Sequence, residues 1–239
     1  MLITSHYNET TRTEKAWYSS SNIFYSMFVE DATENWGDLY VTFNNGATYK
    51  YKKVQIAPDY VMFKHGGLEG SHGKALNAHI KPKYEFEKVG NMDISDLAKQ
   101  KDLLIMDQEV KEMEKTYFIS GHRNITEEQF SRYKKAIAKV LEKTPDARFV
   151  VGDYQGVDIM AQDFLLNELS VSPENVTVYH MFETPRNVNP NVIKLVGGFE
   201  TDEQRDAAMT EVSRHDIAFV TDHTKLSGTA QNILRRHLF

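Results

Sequence analysis

The stretch TYFISGHRNITEEQFSRYKKAIAKVLEKTPDARFVVGDYQGVDIMAQDFLL, Thr116 to Leu166, decides the fold. It opens on a short apolar run, Tyr117-Phe118-Ile119, that stops at Ser120-Gly121. Thr126-Glu-Glu-Gln129 has the form of a capping box, in which a Thr hydroxyl and a Gln side chain satisfy helix amides that have no partner of their own. Phe130, Tyr133, Ile137, Val140 and Leu141 follow at helical spacing. Arg148-Phe-Val-Val151 reads as the next strand, ending at Gly152. Val157, Met160, Ala161, Phe164 and Leu165 then mark a second amphipathic helix. The alternation continues with a strand at Val176–Tyr179, a second capping box at Thr201–Gln204 and a helix to about Ser213. A strand at Ile217–Val220 and a closing helix from Gly228 to His237 complete it. Strands alternating with helices predict a parallel sheet with right-handed crossovers. Short, continuously apolar strands suit a sheet covered on both faces.

Upstream the pattern differs. LYVTFNNGATYKYKKV, Leu39 to Val54, alternates apolar and polar residues on either side of Asn44-Asn45-Gly46, which predicts a hairpin. Short helices are expected at Asp59–His65 and near Lys74–His79, around the glycine-rich turn HGGLEGSHG. Residues 1–89 therefore read as a small α+β domain and 116–239 as an α/β domain with a Rossmann-like parallel sheet flanked by helices. The charged segment 90–115, with Leu97, Leu104, Val110 and Met113 as a loose stripe, reads as a connecting helix or a flexible linker.

Of 239 residues, 41% are hydrophobic and 26% charged, the balance of a folded protein. No apolar run reaches the roughly 20 residues needed to span a bilayer, and the first residues lack the apolar core of a signal peptide. The expected location is the cytoplasm. The absence of cysteine excludes disulfides and zinc–thiolate sites, and a net charge of −6 argues against a chain-wide grip on nucleic acid. No cofactor is implied. The nine histidines carry no metal-binding spacing and read as surface or capping residues.

Ligands of open parallel sheets bind beyond the carboxyl ends of the strands, so the loops there matter most. Ser120, Gly121 and Arg123 follow the first strand; Gly152, Asp153, Gly156, Val157 and Asp158 follow the second; Arg186 lies in the long segment after the third. Ser227, Gly228 and Thr229 open the last helix. Glycines at helix starts let backbone amides approach an anion, an arginine adds a bidentate contact, and Asp158 can accept from ribose hydroxyls or hold its loop. Asp153, Glu183 and Asp206 are the carboxylates placed to assist cleavage of an N-glycosidic bond. Met181–Glu200 is long for such a connection and reads as an ordered flap or a disordered insertion.

SGHRNITEEQF and VVGDYQGVDIMAQDFL resemble the SLOG superfamily, which includes DprA-like proteins and cytokinin-activating enzymes. QRDAAMTEVSRHDIAFV with SGTAQNILRR is similar to nucleoside 2-deoxyribosyltransferase-like proteins. The resemblance implies binding of a nucleotide or nucleotide-derived molecule, by a sensor or sequestering protein. It also implies a second role, a nucleotide N-glycosidase or deoxyribosyltransferase-like hydrolase, and a third, a single-stranded nucleic-acid-binding accessory protein. Asn232 stands where those transferases carry a nucleophilic glutamate, and an amide cannot replace it. Asn232 is therefore expected to bind rather than react.

Trp17 to Ile23, the hairpin, and Gly73 to Tyr84 resemble the KTSC domain, although its named cysteine is absent. That resemblance implies nucleic-acid or protein contact. Lys50, Lys52, Lys53, Lys64, Lys74, Lys81 and Lys83 among Tyr49, Tyr51, Phe63 and Tyr84 can hold a single strand or form an ordinary exposed hairpin face. A homo-oligomer is expected, with Leu234, Leu238 and Phe239 as a buried edge or subunit contact.

Overall fold

The computed structural model describes residues 1–220 and 227–238, with side chains through Arg236. They divide into two compact units, Met1–Gln108 and Glu109–Phe239. Residues 221–226, with His223, residue Phe239 and the side chain of Leu238 lie outside the description; Leu234 is 49% exposed.

The first unit is an antiparallel sheet of six strands in sequence order: β1 Leu2–Asn8, β2 Thr13–Tyr18, β3 Ile23–Glu30, β4 Trp36–Phe43, β5 Ala47–Gln55 and β6 Phe86–Asn91. The β4–β5 turn is the expected hairpin, and Gly46 takes φ +85° there, a conformation open to glycine. Alternation puts Phe28, Leu39, Val41 and Tyr51 on one face, and a register shift between β4 and β5 brings Val54 to it; there they pack under two short helices, α1 Val61–Lys64 and α2 His72–Ala75, and the turns beside them. Trp17 and Tyr25 face the other way and meet Leu97 of the long helix α3, Ile94–Glu114, while Trp17 Nε1 donates to the Leu97 carbonyl at 2.9 Å. Of the two readings of 90–115, the helix is the one found. The strand β6 had no periodic signal to reveal it, because all six of its residues are exposed. Two histidines depart from the surface reading: His72 is 1% exposed, its ring 4.4 Å from that of Tyr18, and His180, in the second unit, is 5% exposed.

The second unit holds a parallel sheet in the order β10-β9-β8-β7-β11. Its strands are β7 Thr116–Ser120, β8 Arg148–Val151, β9 Val176–Met181, β10 Lys194–Phe199 and β11 His215–Ala218. Helices α4 Glu127–Lys143 and α5 Val157–Asp163 cover one face, over Ile119, Phe149, Val151, Val178 and Ile217. On the opposite face Met209, from α6 Asp202–Glu211, joins Phe118, Val150 and Tyr179; α7 Gly228–Leu238 packs beside α6 and β11. The Thr126 capping box forms in both directions. At Thr201 the hydroxyl caps Gln204 N, but Gln204 Oε1 accepts from Glu200 N instead of completing the box.

Two expectations need correction. The segment Met181–Glu200 contains a fifth strand, β10, and is pinned by asparagines: Asn187 Nδ2 donates to the Asp153 carbonyl and Asn189 N to Gln162 Oε1. Its strand lies at the sheet edge and is mostly exposed, so it lacks the apolar run that marked the others. The last strand begins two residues earlier than expected and ends at Ala218. No helix among the described residues is long and apolar enough to cross a membrane.

Candidate functional site

The strand order sets the site. From β7 the chain moves outward through β8 and β9 to β10, then returns to place β11 on the other side of β7. Connections diverge at β7, and a crevice opens at such a switch point beyond the strand ends. A hollow of about 510 Å³ lies there. Ser120, Gly121 and Arg123 enter it from the end of β7, and Gly152, Tyr154 and Asp158 from the end of β8. Asp202, Arg205 and Asp206 come from α6, with Gly228, Thr229 and Asn232 from α7.

Local packing forces glycine at three of these turns. A Cβ on Gly121 would stand 2.3 Å from Val157 Cγ2, and one on Gly152 would stand 2.2 Å from Asp158 Oδ2. Gly156 has φ +84°, and a Cβ there would meet the Arg123 carbonyl oxygen at 2.3 Å. Gly121 and Gly228 share the rim of the hollow. Gly156 sits one layer behind, locking its loop to the carbonyls of His122 and Arg123, and Val157 is fully buried beneath Gly121. Tyr133 fixes the rim from below: its hydroxyl donates to the Ser120 carbonyl at 3.1 Å and accepts from Phe219 N at 3.2 Å.

A charge network forms one wall. Arg205 is buried and spends its guanidinium on carboxylates. Nη1 donates to Asp153 Oδ1 at 2.9 Å, and Nε and Nη2 donate to Asp206 Oδ1 at 3.1 and 2.8 Å. Asp202 Oδ1 lies 3.1 Å from Arg205 Nη1. Arg186 grips Asp153 from the other side, Nε to Oδ2 at 3.0 Å and Nη2 to Oδ1 at 2.6 Å, and adds its own backbone N–H at 2.9 Å. Burial acts to raise the Asp153 carboxyl, and the two arginines overcome it, leaving it below the ordinary carboxylate range. Asp158 has a weaker set of partners. Burial pushes its carboxyl up to about 7, against the pull of Arg205 and the Tyr154 amide, which donates to Oδ2 at 3.1 Å.

The expected residues therefore separate. Asp153 and Arg186 bind each other and do not line the hollow. Glu183 is exposed elsewhere. Of the three carboxylates proposed for chemistry, Asp206 alone reaches the cavity, with Oδ2 accepting from Asn232 Nδ2 at 2.8 Å. Ser227 turns its hydroxyl to Ala230 N and caps α7. Ser120 is different: it is 6% exposed, lines the cavity, and its Oγ is buried without a hydrogen-bond partner among the described residues. Buried hydroxyls are nearly always satisfied, so an orphan beside a cavity marks a place for a ligand or water. Arg123 is 59% exposed, its guanidinium 4.0 Å from the Tyr154 ring centre, with Asp202 at 3.5 Å.

The sequence reading missed Asp202 and Arg205. Their signal was present: Asp202, Arg205, Asp206 and Met209 repeat at the spacing of one helix face, and a charged stripe running into a core methionine marks a polar wall. Among the described residues no cluster of three His, Asp or Glu is arranged to hold a metal ion. Compared with models of known protein families and with curated proteins, the chain matches none.

Proposed function

We propose that the hollow at the carboxyl edge of the parallel sheet binds a nucleotide or nucleotide-derived small molecule, in a Rossmann-like manner. The observation that carries the reading is the unsatisfied Ser120 hydroxyl at a switch-point cavity of about 510 Å³, a volume suited to a ligand of that size. Support comes from the start of α7, where Gly228 and Thr229 line the cavity; first-turn amides have no partner within their helix and favour anions. The exposed Arg123 guanidinium, held by Asp202 at 3.5 Å, is freer to turn to a phosphate than Arg186 and Arg205, which are hydrogen-bonded to carboxylates. Asp158 and Asp206 suit the hydroxyls of a ribose.

Cleavage of an N-glycosidic bond is the second reading, favoured by one observation. Asp158 lines the cavity with a carboxyl near 7, able to give or take a proton at neutral pH.

A nucleotide panel tests both readings by thermal stabilisation of the full chain and by chromatography of the products. Binding predicts that one class of nucleotide stabilises the second unit and that Ser120→Ala weakens it by roughly three- to ten-fold, the loss of one hydrogen bond. Release of free base that stops in Asp158→Asn would establish the enzyme. If millimolar nucleotides neither stabilise the chain nor are cleaved, the reading fails.

A further inference from the structure

The first unit contains a second hollow, of about 500 Å³, that the function proposed above does not use. It lies where the aromatic face of the sheet runs past its covering helices toward the β4–β5 turn. Its wall is made of rings: Phe43 from β4, Tyr49 and Tyr51 from β5, and Phe86 from β6. The Tyr49 ring centre lies 5.7 Å from that of Phe43 and 6.2 Å from that of Phe86, both edge-on, and Tyr51 and Phe86 are 5.4 Å apart.

Three features separate this hollow from the open end of a core. Phe86 is 52% exposed, whereas Tyr51, across the strand from it, is 1% exposed. A ring with that much surface in water does little to hold the sheet and presents a face to a ligand. Lys81 stands at the mouth, its Nζ 5.8 Å from the Phe43 ring centre. Among the described residues it has no carboxylate partner, while Lys50, Lys52, Lys64, Lys74 and Lys83 are each paired with one. Finally, the rim is preformed and polar. Asn44 Nδ2 donates to the carbonyls of Ser20 and Ser21 at 3.0 and 2.8 Å. The Asn22 carboxamide and the Asn45 amide nitrogen make no hydrogen bond among the described residues.

We infer that this hollow binds a flat aromatic ring carrying a negative charge: the ring lies against Phe86 and Tyr49, the anionic group meets Lys81, and the Asn22 and Asn45 amides read the ring's polar edge. Stacking needs a π face, which the exposed Phe86 offers, and the unpaired lysine selects an anion over a neutral ring. Phe63 and Tyr84, grouped with these rings in the sequence reading, do not take part. Phe63 is fully buried, and the Tyr84 hydroxyl donates to Asp59 Oδ2 at 2.6 Å.

The same chemistry is presented by a free aromatic anion and by a residue of a single strand. Equilibrium dialysis of the full chain with uridine monophosphate, phenylacetate and an oligothymidylate of about eight residues distinguishes them. Retention of either small probe identifies a free ligand; preferential retention of the oligonucleotide identifies a strand. In either case Phe86→Ala should weaken binding roughly ten-fold, the worth of one stacked ring, Phe86→Trp should preserve it, and Lys81→Gln should weaken it and reduce its salt dependence. Both positions are exposed, and circular dichroism confirms that the variants fold. The inference is overturned if wild type retains none of the probes, or if retention is unchanged in Phe86→Ala and Lys81→Gln. Uridine monophosphate held in the other hollow is told apart by Ser120→Ala, which should leave binding at Phe86 intact.

Discussion

The two hollows are of nearly equal volume, about 500 and about 510 Å³, and are built from different materials. The first is floored by aromatic rings on one face of an antiparallel sheet, with a single unpaired lysine at its mouth. The second is walled by Asp202, Arg205, Asp206 and Asp158 at the carboxyl ends of parallel strands. The difference teaches where each site stores its specificity. Rings accept any flat partner and tolerate small displacements. A network of buried carboxylates and guanidinium holds fixed geometry, but only while every member stays paired.

The contrast predicts different responses to damage. The largest effect is expected from Arg205→Ala, which leaves Asp153 and Asp206 without their shared buried cation and should destabilise the second unit by about 3–5 kcal/mol. Both tryptophans, Trp17 and Trp36, belong to the first unit. Tryptophan fluorescence should therefore report its denaturation largely unchanged, while helical circular dichroism shows the early transition. A single early transition in both signals would show that the units do not unfold independently.

Acidity separates the sites next. Asp158 has its carboxyl raised to about 7, against roughly 4 when unfolded, so between those values the folded chain holds a proton that the unfolded chain has lost. Its contribution is greatest below about pH 4 and fades as pH rises toward 7. Asp153 and Asp59 are shifted the other way. Burial acts to raise both, but Arg186 and Arg205 at the first, and Lys83 and Tyr84 at the second, bring them below the ordinary value. Their contribution is present above about pH 4 and is lost in stronger acid. Asp158→Asn should therefore flatten the fall in urea midpoint between pH 4 and 7 and leave the acid limb intact. An unaltered slope would remove Asp158 as its source.

The smallest effect is Thr126→Ala, which deletes a capping box seen in both directions and should cost about 1 kcal/mol in urea unfolding followed at helical wavelengths. It calibrates how far one polar contact on a helix end falls short of the Arg205 network.

Much of the second unit was legible because its segments obey strong periods: β7, β8 and β9 are apolar runs bounded by glycine or polar turns, and α4 carries both a cap and a stripe. The exceptions share a cause. Strands β6 and β10 lie at sheet edges with most of their residues in water, so no burial pattern was written into them. The site was legible in part. Ser120, Gly121, Gly152, Asp158, Gly228 and Thr229 were reachable from the rule that strand ends bind ligands, and Asn232 only through the resemblance to deoxyribosyltransferase-like proteins. The pairing of Asp153 with Arg186, 33 residues apart, and of Arg205 with Asp153, 52 apart, was not.

The sequence by itself determined the type of the strongly periodic elements, the glycine-bearing strand ends and the helix caps, since these depend on neighbours three or four residues away. Tertiary structure alone decided which carboxylates stay charged, and that among the described residues Lys81 lacks a carboxylate partner and the Ser120 hydroxyl a hydrogen bond. Those properties depend on distance and burial between segments far apart in the chain, and local sequence carries no measure of either.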